Sequence, residues 1–142
     1  MTQILRCSQT VVMNSQYQPT ILLVDDDPMV MEALTYLFGD EYSTLSADSG
    51  EQAIELIKGN PAISAVVLDI RMSGMGGVEA CRQLKLIRPE LPVIINTAGH
   101  PDIRPLLKNL ALEPFAFVTK EDSVKNLLQV VRSACNEDDR QN

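Results

Sequence analysis

The residues of this chain best suited to chemistry are carboxylates that follow apolar runs. Ala65-Val66-Val67-Leu68-Asp69-Ile70 reads as a strand buried on both faces, with Asp69 near its carboxyl end. Thr20-Ile21-Leu22-Leu23-Val24 runs into Asp25-Asp26-Asp27, Pro92 to Asn96 runs into Thr97, and Lys120 follows the run Phe115 to Val118. Clustered carboxylates repel one another and burial raises their pKa, so a divalent cation would relieve them. Mg²⁺ accepts hard oxygen ligands and is usually held by one or two carboxylates together with phosphate oxygens. Asp26 and Asp69 would be direct ligands, the Arg71 carbonyl a third, and Asp25 would hold a metal-bound water. The Asp69 carboxylate could then attack a phosphoryl group and form an acyl phosphate. Such transfer depends mainly on positioning and charge neutralisation. Lys120 would pair with one phosphoryl oxygen, and the Thr97 hydroxyl and Ala98 backbone N–H would bind others.

Taken singly, each of these residues has an ordinary structural explanation. An Asp after a strand is most often a turn or cap residue, and a lone Thr or Lys at a strand end is structural or solvated. Ser73-Gly74-Met75-Gly76-Gly77 lacks the GxxxxGK[ST] form of a phosphate loop and reads as a tight turn. His100, the single histidine, precedes Pro101 and reads as a loop residue. Convergence is the stronger signal, because in a parallel sheet all these strand ends share one edge, where open α/β sheets bind ligands.

The intervening segments alternate between strand and helix patterns. Asp27 can cap a helix opening at Pro28, with Val30, Ala33, Leu34 and Leu37 at helical spacing and Gly39 at its end. Tyr42 to Ser46 reads as a modest strand. Ser49 and Gln52 form a capping box before the stripe Ala53, Ile54 and Ile57, which Gly59 and Pro61 terminate. Val78, Cys81, Leu84 and Ile87 give a helix closed by Pro89. Asp102 can cap a short helix through Leu106, Leu107 and Leu110, with Pro105 tolerated in its first turn. Ser123 can cap a last helix whose stripe is Val124, Leu127, Leu128, Val131 and Cys135. Five strands alternating with five helices across short loops predict an α/β fold, a doubly wound five-stranded parallel sheet with helices on both faces.

The totals agree with this architecture. With 142 residues, 45% apolar and 22% charged, the chain suits one domain with a mostly aliphatic core. A net charge of −7 without a Lys/Arg-rich run disfavours nucleic acid and anionic membranes as partners. Cys7, Cys81 and Cys135 are far apart and form no metal-ligand pattern; free thiols suit a reducing compartment, so a cytoplasmic location is expected. Cys81 and Cys135 fall on apolar stripes and are expected in the core. Residues 1–19 read as an N-terminal extension, with Met13 an alternative start, 20–136 as the domain, and 137–142 as an acidic, frayed tail.

The pattern resembles the receiver domain of two-component response regulators, in its stand-alone form. The matching motifs are Leu22-Leu23-Val24-Asp25-Asp26-Asp27-Pro28, Val67-Leu68-Asp69-Ile70-Arg71-Met72, Pro92-Val93-Ile94 with Thr97-Ala98, and Phe117-Val118-Thr119-Lys120. Separations of 43 positions from Asp26 to Asp69, 28 to Thr97 and 23 to Lys120 are close to the family's. The resemblance covers Thr20 to about Cys135 and implies the flavodoxin-like strand order 2-1-3-4-5. It implies Asp69 as phosphoacceptor, Asp25 and Asp26 as the acidic metal-site pair for Mg²⁺, and Lys120 as the phosphate-pairing lysine. It implies Thr97 as a switch hydroxyl and Phe117 as the aromatic that turns inward when Thr97 moves. It also implies a histidine kinase or histidine phosphotransfer protein as phosphodonor, and a downstream protein target on roughly residues 102–135. Phosphorylation-dependent homodimerisation is left open. Ser73, Gly76 and Glu121 replace the family's usual Pro, Asp and Pro. Arg71 and Gly99 stand where the family tunes its phosphate lifetime.

On this view the chain is a phosphoacceptor rather than an enzyme in the ordinary sense, and the few residues after the last helix leave no room for a DNA-binding output domain. Two other readings compete. A haloacid-dehalogenase-like phosphatase could start at Asp25-Asp26-Asp27 with Asp25 as nucleophile, but the acidic pair such a site needs after a further strand is badly placed here. A phosphate-independent binding module on the same fold is opposed by the complete set of acids, Thr97 and Lys120.

Overall fold

A computed structural model describes residues 18–140 apart from Ser73, residues 99–102, Glu121 and Ser123. The expectations for residues 1–17, His100 and the caps Asp102 and Ser123 lie outside the described residues. Strands β1 (Thr20–Val24), β2 (Ser43–Ala47), β3 (Ile63–Leu68), β4 (Val93–Thr97) and β5 (Ala116–Thr119) form one parallel sheet in the order 2-1-3-4-5. Between and after them come helices α1 (Pro28–Phe38), α2 (Gly50–Gly59), α3 (Gly77–Ile87), α4 (Arg104–Asn109) and α5 (Val124–Arg140). This is the doubly wound arrangement that the alternating sequence predicts.

Strand side chains alternate between two cores. Leu22, Val24, Val66, Leu68 and Ile95 pack with Ala53, Ile54 and Ile57 of α2, Cys81 and Leu84 of α3, and Leu107 of α4. Ile21, Leu23, Val67 and Ile94 pack with Leu34 and Phe38 of α1 and Leu127, Val131, Ala134 and Cys135 of α5. Both faces of the central strands are thus covered, which is why β1 and β3 are nearly continuous apolar runs. Each buried Leu or Ile contributes about 1.5–3 kcal/mol. Cys81 and Cys135 are buried and in no disulfide, the burial being what their stripe positions predict, and burial pushes the Cys81 thiol up.

The helix caps follow the sequence with one variation. Asp27 Oδ1 accepts from the Met29 N–H at 2.9 Å, and Ser49 Oγ accepts from the Gln52 N–H at 3.1 Å. The return bond of the capping box goes one residue early, from the Asp48 N–H to Gln52 Oε1 at 2.8 Å. Gly39 caps α1 in the right-handed region, at φ −63°, so its left-handed freedom is not used.

Several boundaries differ from expectation. β3 begins at Ile63 and stops at Leu68, so Asp69 and Ile70 lie just past the strand rather than inside it. Tyr42 and Phe115 precede their strands; Tyr42 is buried edge-on against Phe38, with ring centroids 6.0 Å apart. Of the expected stripe on α4 only Leu107 is buried, because the helix has six residues and Leu110 lies beyond it. Ile87 and Val124 are exposed at helix ends. α5 continues through Arg140, past the expected boundary at 136, so the start of the expected tail is helical.

Candidate functional site

The register between β1 and β3 brings the two buried acids together. Val24 pairs with Leu68, so the next residues, Asp25 and Asp69, leave adjacent strands side by side. The Asp69 N–H donates to the Val24 carbonyl at 2.9 Å and continues the ladder by one bond. β1 and β3 flank the point where the strand order reverses, and the crevice outside their carboxyl ends is where this fold binds ligands. Asp26 is exposed one residue further on. One carboxylate oxygen from each of Asp25, Asp26 and Asp69 lies within 4.8 Å of the others.

β5 supplies the cation. Thr97 pairs with Thr119, and the Lys120 N–H donates to the Thr97 carbonyl. Lys120 Nζ then reaches across the sheet edge to Asp25 Oδ2 at 2.9 Å and Asp69 Oδ2 at 3.4 Å. Backbone donors hold the remaining oxygens. The Asp27 N–H donates to Asp25 Oδ1 at 2.9 Å, and the Arg71 N–H donates to Asp69 Oδ1 at 3.1 Å. Asp25 is 2% exposed and Asp69 4%. Burial pushes the Asp69 carboxyl up, the Arg71 N–H pulls it down, neighbouring Asp25 raises it and Lys120 lowers it; the net direction is up. Burial depresses Lys120, but Asp25 and Asp69 outweigh it and hold the ammonium above its ordinary value.

The donor set fits Mg²⁺. Three hard carboxylates converge within one coordination sphere's reach and outnumber the single ammonium among them three to one. Thr97 fits a site that receives a ligand, because its hydroxyl is buried without a hydrogen-bond partner among the described residues at the end of β4. A buried hydroxyl normally has one. Ala98 follows it directly. Phe117 stands opposite Ile95, partly buried against the core, with the Arg104 guanidinium 5.4 Å from its ring centroid.

The loop after Asp69 depends on its glycines. Gly74 and Gly76 take φ of +77° and +80°, and the Gly77 N–H donates to the Ile70 carbonyl at 3.0 Å. A Cβ on Gly77 would lie 2.3 Å from Ile70 Cα and 2.6 Å from the Asp69 carbonyl oxygen. The start of α3 therefore presses against the backbone that carries Asp69. Sequence reasoning treats Gly76-Gly77 only as a tight loop; a glycine inside a first helical turn was the available sign of close approach. The Arg104 contact has no sequence signature, because it joins α4 to β5.

A family model described as the response regulator receiver domain matches residues 21–132. The chain belongs to this family. The receiver domain is 31% identical over 115 residues to the transcriptional regulatory protein GlrR of Escherichia coli (strain K12), covering 80% of this chain and 26% of that protein. It is 32% identical over 122 residues to the response regulator protein TmoT of Ectopseudomonas mendocina, covering 86% of this chain and 54% of that protein. The chain thus spans about a quarter to a half of the length of these relatives. Among solved structures it is similar to a response regulator receiver domain protein from Clostridium thermocellum, with a TM-score of 0.79 and 25% identity over 87% of this chain and 98% of that one. A CheY-like receiver domain protein from Methanospirillum hungatei JF-1 shares the fold at a TM-score of 0.79 and 20% identity, covering 89% of this chain and all of the other. The receiver domain belongs to the two-component type, and none of its described helices is long and apolar enough to cross a membrane.

Proposed function

We propose that Asp69 of this receiver domain accepts a phosphoryl group from the phosphohistidine of a histidine kinase or histidine phosphotransfer protein. The observation that carries this is the Asp25–Asp26–Asp69 cluster bridged by Lys120 at the carboxyl edge of the sheet. Deprotonated Asp69 attacks phosphorus; the new O–P bond forms as the N–P bond breaks, and the electron pair leaves with the donor imidazole. Asp26, Asp69 and the Arg71 carbonyl would hold Mg²⁺, with Asp25 bonded through a water. The ion, when bound, supplies neutralisation of phosphoryl charge. Lys120 pairs with a second phosphoryl oxygen, and Thr97 Oγ1 and the Ala98 N–H bind the others. The Arg71 N–H and Lys120 pull the Asp69 carboxyl down, against burial and Asp25, which hold it above its ordinary value.

The same reading assigns the output. A phosphoryl oxygen gives the Thr97 hydroxyl the partner it lacks, and movement of Thr97 makes room for Phe117 to turn inward. Phosphate then biases two conformations of the surface formed by residues 102–135, which binds a downstream protein target. The acidic balance of the chain supports a protein rather than a nucleic acid or membrane as partner of this domain. Free thiols support a cytoplasmic site of action.

The test is intact mass after incubation with acetyl phosphate and Mg²⁺, beside Asp69→Asn and a metal-free control. A labile phosphoryl adduct that needs both Asp69 and the metal is expected. Turnover of p-nitrophenyl phosphate that survives Asp69→Asn and is abolished by Asp25→Asn would replace this reading with a phosphatase.

A further inference from the structure

β5 is the outer strand of the sheet, paired with β4 on one side. The Lys120 N–H points inward and donates to the Thr97 carbonyl at 2.6 Å. Successive residues of a strand turn their N–H and carbonyl groups to opposite sides, so those of Thr119 face the open edge, away from the ladder. Asp122 takes both. Its Oδ2 accepts from the Thr119 N–H at 3.1 Å, and its own N–H donates to the Thr119 carbonyl at 3.0 Å. The backbone bond closes a turn over positions 119–122 and puts Lys120 at its first corner. The side-chain bond locks the same turn, as a short acidic side chain can do with nearby backbone.

Lys120 depends on such a lock because of where it must reach. Three strand spacings, each roughly 4.8 Å, separate β5 from β1 in the sheet order. The ammonium nevertheless lies 2.9 Å from Asp25 Oδ2 and 3.4 Å from Asp69 Oδ2. A flexible four-carbon stem spans that distance only from a well-fixed backbone. The Thr97 carbonyl fixes the Lys120 backbone on the sheet side, and Asp122 fixes it on the open side. Asp25 and Asp69 are the carboxylates that hold the ammonium above its ordinary value. Asp122 bonds instead to the backbone, and it is exposed, so its contribution is these bonds rather than burial.

We propose that Asp122 is a positioning residue for Lys120, clamping the turn after β5 so that the ammonium is aimed at Asp25 and Asp69. That this aim sets the rate of phosphoryl transfer rests on the phosphoacceptor reading; the clamp itself does not.

The test compares Asp122→Ala, which loses the acceptor, with Asp122→Asn, whose amide oxygen can take the same bond. The first readout is the side-chain ammonium signal of Lys120 in isotopically labelled protein, identified by its absence from Lys120→Met. Asp122→Ala is expected to move it toward the position of a solvated lysine, and Asp122→Asn to leave it near its natural position. Val131→Ala, which truncates the buried face of α5, is the control for lost stability alone. It should lower the urea midpoint at least as much and leave the signal in place. The second readout is labelling by acetyl phosphate at saturating Mg²⁺. Labelling should slow about tenfold in Asp122→Ala and recover in Asp122→Asn, since small misplacements in a reacting site carry costs of this order. Mg²⁺ affinity should hold or tighten in Asp122→Ala, because the three clustered carboxylates are untouched and the ammonium competing for them is loosened. An unmoved Lys120 signal in Asp122→Ala would overturn the proposal. So would an Asn variant that behaves as the Ala variant, a Val131→Ala signal that moves as far, or a fall in Mg²⁺ affinity. A moved signal with unchanged labelling removes the effect on rate alone. Absence of labelling in the natural chain removes the phosphoacceptor reading and leaves the clamp.

Discussion

Lys120 Nζ sits 2.9 Å from Asp25 Oδ2 across 95 positions of sequence, and this contact is made at the edge of the sheet where Asp69 also ends. The ammonium is shared, since Asp69 Oδ2 is 3.4 Å away. Removing it leaves two buried carboxylates facing each other. Breaking a buried pair by deleting one partner costs about 3–5 kcal/mol, and the figure should be smaller here because the Lys120 side chain is 28% exposed. We expect Lys120→Met to lower the urea midpoint, Mg²⁺ to restore part of the loss, and labelling by acetyl phosphate to slow about a hundredfold.

Asp69→Asn should act in the opposite direction on stability. Burial and Asp25 raise the Asp69 carboxyl above its ordinary value of 3.8. A raised carboxyl binds its proton more tightly in the folded state, so its favourable contribution is complete below 3.8 and is lost as pH rises through the folded value. At neutral pH the natural residue is therefore a liability. The amide variant should be more stable by about 1 kcal/mol or more without metal. The two stability curves should converge as pH falls toward 3.8. Denaturant titrations across acid pH, with EDTA present, test this.

Asp26 is exposed, so its role is separable from folding. Asp26→Asn should leave the metal-free urea midpoint nearly unchanged, as surface substitutions usually do within about 0.5 kcal/mol. Mg²⁺ affinity should fall at least about tenfold, equivalent to about 1.4 kcal/mol. The rise in thermal midpoint with added Mg²⁺ is the measurement, because a ligand that binds only the folded state stabilises by mass action.

Thr97→Val should be neutral or slightly stabilising in the unphosphorylated domain. The hydroxyl is buried with no partner among the described residues, and an unsatisfied buried polar group costs about 1–3 kcal/mol. The same change should remove the phosphorylation-dependent shift of the Phe117 ring signals. Loss of stability comparable to a core truncation would mean that the hydroxyl is already bonded.

Gly77→Ala tests whether α3 holds Asp69 in place. Its Cβ would fall 2.3 Å from Ile70 Cα, a contact with backbone that no side-chain rotation relieves. We expect a loss of about 2–4 kcal/mol, from the overpacking that produces the larger point-mutant effects. Labelling of Asp69 should drop with it even below the unfolding temperature. Gly59→Ala is the control, since a Cβ there meets nothing within 4 Å.

Much of this was legible in the chain because the relevant signals are local. Apolar runs with period two or none, helical stripes, and Asp27, Ser49 and Gln52 at caps each act over a few residues, and alternation then forces a parallel sheet whose strand ends share an edge. That logic alone places Asp25, Asp69, Thr97 and Lys120 on one rim. The exact ends of β3, β4 and β5 were less legible, since apolar residues such as Phe115 look the same inside and just outside a strand. The end of α5 was less legible for the opposite reason: residues 137–140 carry no apolar stripe in the sequence, and a helix can continue on its own hydrogen bonds.

What the sequence by itself determined was therefore the order of elements, their buried faces and the set of acids that must meet. What only the tertiary structure decided was register and contact. Val24 opposite Leu68 makes Asp25 and Asp69 neighbours, Lys120 divides itself between them, Gly77 presses on Ile70, and Arg104 covers Phe117. These relations join residues far apart in the chain, and their distances depend on the packing of many side chains at once, which no local pattern encodes.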